Sequence, residues 1–102
     1  MYARMTTFHL KREDVDKAVD IYENSVVPEA KKQAGFKSAY FLLNKVAGKF
    51  VSITFWNEME DAAESEKSGY FQKQVEKFSA FSIVQPEVEG FAVGVSACSD
   101  DN

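Results

Sequence analysis

From Tyr2 to Leu10, β-branched and aromatic side chains dominate, and the charged run Lys11 to Asp14 follows, the pattern of a strand leading into a helix start. From Val15 the apolar positions Val15, Ala18, Val19, Tyr22 and Val26 fall at helical spacing, with Asp16, Lys17, Asp20 and Glu23 on the other side. Pro28 lacks a backbone donor and crowds the turn before it, so a kink is expected there, with Ala30 to Ala34 resuming the helix and Gly35 closing it. Phe36 to Lys45 and Phe50 to Trp56 read as strands joined by the tight turn Val46-Ala47-Gly48-Lys49, which predicts an antiparallel hairpin. Asn57 and Glu60 have the spacing of a capping box. A second helix is expected from there through Met59, Ala62 and Ala63, broken near Ser68-Gly69 and resumed by Tyr70, Phe71, Val75 and Phe78. After Pro86, Val88 to Ala97 alternates large and small residues as a last strand, and Ser99 to Asn102 reads as a frayed tail.

The order strand, helix, strand, strand, helix, strand predicts an α+β, ferredoxin-like βαββαβ domain over residues 1–97, with residues 98–102 as a flexible C-terminal tail. Its four-stranded antiparallel sheet carries both helices on one face. If the hairpin centres on Ala47-Gly48, Leu42 lies opposite Ile53 and Tyr40 opposite Phe55, so these residues share a face with Val51. That face is expected to take the helices. The other face then exposes Ala39, Phe41, Leu43, Ser52, Thr54 and Trp56, and a second copy closing over it gives a homodimer. Because that face mixes aromatic surface with small hydroxyls, the expectation is a cavity shared between the two subunits.

Composition narrows the classes. The chain has 102 residues, 45% hydrophobic and 27% charged, which fits one ordinary globular domain with one modest core. No apolar run approaches the roughly 18 residues of a membrane span and no leader pattern opens the chain, so a soluble, cytoplasmic protein is expected. The net charge of −4, with its basic residues scattered, argues against nucleic acid as a partner. The single cysteine, Cys98, has no internal disulfide partner and no metal-ligand neighbours in sequence.

Several of these segments together resemble the antibiotic-biosynthesis-monooxygenase-like family of the dimeric α/β-barrel superfamily. The resemblance spans Tyr2 to about Val95 and is carried by the first strand ending at Phe8, by Pro28 and Gly35-Phe36, by Val51-Ser52-Ile53-Thr54-Phe55-Trp56, and by Ser68-Gly69-Tyr70-Phe71, which looks like the family's Ser-Pro-His-Phe. It implies a barrel built from two sheets across a dimer, with a pocket between sheet and helices or at the interface. It also implies cofactor-independent oxygenases that convert polycyclic phenols to quinones, or haem-degrading enzymes. Trp56 matches a residue of the haem-degrading members, but their axial histidine falls at Val75 and their asparagine at Thr6 or Thr7. The histidines of other members fall at Ser65 and Tyr70. Haem is therefore not expected as a cofactor, and neither is a metal.

The candidate chemistry rests on few residues. His9, the only histidine, has the pKa range of a general base for a phenol or an acidic carbon. Trp56 could stack on a flat substrate, and Tyr70 could donate to a carbonyl or developing oxyanion. His9, Trp56 and Tyr70 form the candidate catalytic set. Arg4 could neutralise an anionic substrate, and Phe41, Leu43, Ser52 and Thr54 complete a candidate binding surface; Tyr22 and Tyr40 read as core. Ser52 and Thr54 lack a His and Asp pair, so a hydrolase nucleophile is not expected. Two functions fit: a small cofactor-independent monooxygenase acting on an aromatic or polycyclic phenol, and a non-catalytic homodimer that carries or senses a small apolar or aromatic ligand.

Overall fold

The computed structural model describes residues 1–99, so residues 100–102 of the tail expected at 98–102 lie outside the described residues. Strand β1 (Tyr2–His9) is followed by a short 3-10 turn at Arg12–Asp14 and by helix α1 (Val15–Ile21). A π-helical segment, Tyr22–Val26, continues into α2 (Val27–Ala30). The hairpin strands are β2 (Phe36–Asn44) and β3 (Lys49–Trp56), then come α3 (Met59–Lys67), α4 (Tyr70–Glu76) and β4 (Glu87–Ala92). All neighbouring strands pair antiparallel in the order β2-β3-β1-β4, which is the ferredoxin-like arrangement expected.

Local departures from the expected elements have local causes. Pro28 cannot donate, and its ring crowds the carbonyl four residues earlier. The helix answers by widening upstream, at Tyr22–Val26, instead of kinking at the proline, which sits in the first turn of α2. Helix ends at Ala30, and residues 31–35 form turns that close on Gly35 at φ 79°. The capping box is one residue later than expected. Asn57 N–H is already committed to the Gly35 carbonyl at 2.8 Å, so Glu58 becomes the cap and its N–H donates to Asp61 Oδ2 at 3.1 Å. The break between α3 and α4 falls at Gly69, φ 84°, as the sequence indicates. Strand β4 stops at Ala92, five residues short of the expected Ala97.

The hairpin register differs by two residues, with Leu42 opposite Val51 and Tyr40 opposite Ile53. A shift of two keeps each side chain on its own face, so the two sets were grouped correctly. Their orientation is reversed. The helices cover the face of Phe41, Phe50, Ser52, Thr54 and Trp56, together with Arg4, Thr6 and Phe8 from β1. Tyr40 and Leu42, at 55% and 49% exposure, lie on the uncovered face with Val51, Ile53 and Phe55. The reason is volume. Phe8, Phe50 and Phe78 pack with Leu10, Val15, Ala18 and Tyr22 at one end of the covered face, and Trp56 is fully buried at the other. The small hydroxyl residues between them leave the room that the helix side chains and a cleft occupy. Leu43 shares the parity of Phe41 but lies beyond the helices near the hairpin turn and is 42% exposed.

A candidate active-site cleft between sheet and helices

The space left over the small residues is a cleft lined by Arg4, Thr6, Ser52 and Thr54 from the sheet, Tyr22 and Val26 from the π-helical segment, and Tyr70, Phe71 and Gln74 from α4. It measures about 400 Å³ out to its open mouth, yet it is a slot whose deep part has room for little more than a water. One wall of the slot is α4, which the left-handed Gly69 precedes.

Arg4 is the one charged side chain of the cleft wall, and it is only 4% exposed. Its guanidinium lies 4.0 Å from the centre of the Phe71 ring and 5.2 Å from that of Trp56, a cation held between two aromatic faces. Nη1 donates to the Ala62 carbonyl at 3.1 Å, to Ser65 Oγ at 2.9 Å and to Glu66 Oε2 at 3.4 Å. All three partners belong to α3, so β1 supplies the cation and α3 fixes its orientation. Burial lowers the Arg4 pKa and Glu66 opposes the shift, but a guanidinium so placed stays protonated. Among the described residues no buried side-chain nitrogen or oxygen lacks a partner.

Tyr22 and Ser52 form the second polar point, their hydroxyls 2.8 Å apart. The Tyr22 ring stacks on Phe41 at 4.5 Å and 9°, which fixes the phenol against the sheet. Burial raises the Tyr22 pKa, offset in part by the Ser52 hydrogen bond. Tyr70 is pushed up to about 12, mainly by burial, with nearby Arg4 pulling it back. Both phenols are therefore donors at neutral pH. Gln74 Nε2 donates to Glu29 Oε2 at 2.7 Å while its Oε1 accepts from Lys77 at 2.7 Å, so the amide orientation is fixed from both ends.

The structure brings Arg4, Ser52, Thr54 and Tyr70 of the sequence candidates into one cleft. Trp56 is beneath it, fully buried under Arg4, with its indole N–H donating to Thr54 Oγ1 at 3.0 Å. Phe41 acts behind Tyr22, and Leu43 is remote at the hairpin end. His9 faces the opposite side of the sheet, over a depression it shares with Met5, Thr7, Lys49, Glu87 and Glu89. Sequence reading missed Tyr22, which shares the helical spacing of core residues, and Gln74. A signal for Gln74 was present: Tyr70, Gln74 and Phe78 lie at successive i, i+4 positions, so a polar side chain interrupts an apolar stripe.

Residues 1–77 match the antibiotic biosynthesis monooxygenase family, and the chain belongs to that family. The fold agrees with solved structures of low sequence identity. A monooxygenase of Streptomyces coelicolor from the gene ActVA-Orf6, in complex with nanaomycin D, superposes with a TM-score of 0.81 at 14% identity, covering 97% of this chain and 92% of its own. Rv0793 of Mycobacterium tuberculosis gives 0.74 at 13% identity over 95% and 98% of the two chains. A variant of SnoaB, a cofactor-independent oxygenase from Streptomyces nogalater, gives 0.71 at 13% identity over 93% and 94%. No curated protein matches the sequence. Among the described residues no helix is long and apolar enough to cross a membrane.

Proposed function

We propose that this protein is a cofactor-independent monooxygenase that oxidises an electron-rich aromatic or polycyclic phenol in the Arg4 cleft. The observation that carries this reading is the buried Arg4 guanidinium, set against Phe71 and Trp56 in the wall of a slot that also presents the hydroxyls of Tyr22, Ser52, Thr54 and Tyr70. A cation in such a place lowers the pKa of a bound phenol by about 1–3 units, so the phenol gives its proton to solvent and stays as an anion paired with Arg4. The tyrosines, held protonated, donate to the developing oxygen charge. The anion supplies the electrons for oxygen. For a ring CH2 flanked by phenolic rings, one oxygen atom of O2 becomes the new carbonyl and the other leaves as water with the two hydrogens, so substrate and O2 alone balance the reaction.

His9 opens onto the other sheet face and takes no part in this reading; a base there would serve chemistry at an interface between copies. We place a homodimer on that uncovered face, where Tyr40, Leu42 and Phe91 are exposed at 55%, 49% and 42%. Covering side chains of this size contributes about 1.5–3 kcal/mol each. The second reading, a carrier or sensor of an aromatic ligand, is favoured by one fact: neither an imidazole nor a carboxylate lines the cleft.

The test is oxygen consumption and quinone formation with a reduced hydroxyanthrone, without added flavin or metal, for the native protein and Arg4→Gln. One O2 per quinone and a loss of about 10² to 10³ in kcat/KM in the variant are expected. Tight binding of the anthrone with no oxygen uptake would leave the carrier reading instead.

A further inference from the structure

The two helical walls of the cleft are fastened to each other by one polar cluster. Tyr22 and Val26 reach the slot from the π-helical segment, and Tyr70, Phe71 and Gln74 reach it from α4. Glu29 Oε2 accepts from Lys77 Nζ at 2.7 Å and from Gln74 Nε2 at 2.7 Å, while Lys77 also donates to Gln74 Oε1 at 2.7 Å and to the Ser25 carbonyl at 3.3 Å. Lys73 adds an ion pair to Glu29 Oε1 at 3.8 Å. Among the described residues, every side-chain hydrogen bond and ion pair that joins residues 70–77 to the α1–α2 segment ends on Glu29 or Ser25.

The two ends of α4 are held differently. Just past its last turn Phe78 is buried and packs on Phe8 and Phe41, with ring centres 5.1 and 5.9 Å apart. Just before its first turn Gly69 holds φ 84°, and apart from its own chain neighbours no atom lies within 4 Å of where a Cβ would sit. One end is therefore anchored in the core, and the other is joined through a residue with backbone freedom and open space around it. Between them Phe71 rests on Arg4 inside the slot, and the Glu29 cluster fastens the helix on its solvent side. The Lys77 hydrogen bond, with help from Gln74, lowers the Glu29 pKa to about 2, so the cluster stays charged at neutral pH. Water reaches it, since the Glu29 and Lys73 side chains are 36% and 69% exposed, and ion pairs in such places are readily exchanged for hydration.

We propose that Glu29, Lys77 and Gln74 form a clasp that holds α4 shut over the slot, and that α4 turns about Phe78, with Gly69 taking up the change, to let a ring reach Arg4. Opening exchanges the Glu29 contacts for water while Phe78 keeps its place, so the wall moves without loss of the core. The clasp itself is independent of what the slot binds; the entry step rests on the cleft reading above.

Trp56 reports on the wall directly. It is the single tryptophan, fully buried beneath Arg4 and hydrogen-bonded to Thr54 of the slot lining, so acrylamide, a small neutral quencher, reaches it when the slot opens. Glu29→Gln and Lys77→Met should each raise the acrylamide quenching constant about twofold to fivefold, and Lys77→Arg, which keeps the charge and the donors, should stay at the native value. Hydrogen exchange should quicken by a similar factor at the amides of α4 and not at those of β1 and β3. Quenching unmoved by Glu29→Gln and Lys77→Met, or exchange that quickens equally throughout the sheet, would overturn the clasp. For the entry step, the association rate of a neutral dihydroxyanthraquinone, read by stopped-flow quenching of Trp56, should rise in Glu29→Gln by the same factor as the acrylamide constant. A rate that stays at the native value while acrylamide access rises would overturn α4 as the way in and leave the cleft reading standing. A probe that binds neither protein would overturn the cleft reading and the entry step together, with the clasp still decided by acrylamide.

Discussion

The two faces of the sheet carry similar numbers of large side chains but use them in opposite ways. On the covered face Phe8, Phe50 and Trp56 are buried at the ends, and the middle holds Thr6, Ser52 and Thr54 around the buried Arg4. On the uncovered face Tyr40, Leu42, Ile53 and Phe55 form a more evenly apolar surface without a helix over it. The more polar face is therefore the inner one. Burial of polar groups is tolerated there because each is paired: Arg4 with α3, Tyr22 with Ser52, and Trp56 with Thr54. The cleft dilutes the hydrophobicity of the inner face, while the outer face keeps its apolar side chains uncovered.

The largest effect that would test this contrast is at Trp56. Trp56→Ala should destabilise the fold by about 3–5 kcal/mol in urea denaturation, independently of protein concentration, because it empties a fully buried site. A cost below about 1 kcal/mol would mean that the covered face is not the core. Next comes the uncovered face, where Leu42→Lys with Ile53→Lys should leave the far-ultraviolet circular dichroism unchanged. The same pair should lower the mass in light scattering from about twice 11.5 kDa to one copy. A native protein that is already monomeric at micromolar concentration would remove the interface from that face.

A smaller effect belongs to the Glu29 network that ties α4 to the α1–α2 segment. The folded-state pKa of Glu29, about 2, lies below its ordinary 4.5. Its contribution is therefore complete above pH 4.5 and is lost as pH falls from 4.5 through 2. Glu29→Gln should flatten the acid side of the urea-midpoint profile over that window, and an unchanged slope would show that Lys77 holds nothing there. The smallest expected effect is that of His9→Ala, which should change turnover less than threefold because His9 opens onto the other face. A loss of a hundredfold would move the chemistry out of the cleft and into the interface.

Much of this architecture was legible along the chain. Gly69 marks the break between α3 and α4 and Gly35 the turn into β2, since both adopt the left-handed conformation. The hairpin follows from Gly48 at φ 66°, and its alternation correctly separates Phe41, Ser52, Thr54 and Trp56 from Tyr40, Leu42, Val51 and Ile53. Of the site, Arg4, Ser52, Thr54 and Tyr70 were recognisable as polar residues with work to do near a sheet face. Tyr22 was not. Its place in the cleft depends on the π-helical segment Tyr22–Val26 and on Ser52, 30 residues away in sequence, whose hydroxyl lies 2.8 Å from its own.

The sequence by itself determined the order of elements, the places where they stop, and which side chains travel together, because backbone conformational limits and a period of two or 3.6 are local properties. Only the tertiary structure decided which set faces the helices. Alternation has no sign: it divides a strand into two halves without saying which is inside. That choice was made by how the volumes of Phe50, Phe78, Tyr22 and Trp56 fit together, and by the carbonyl and hydroxyl of α3 that give a buried Arg4 its partners.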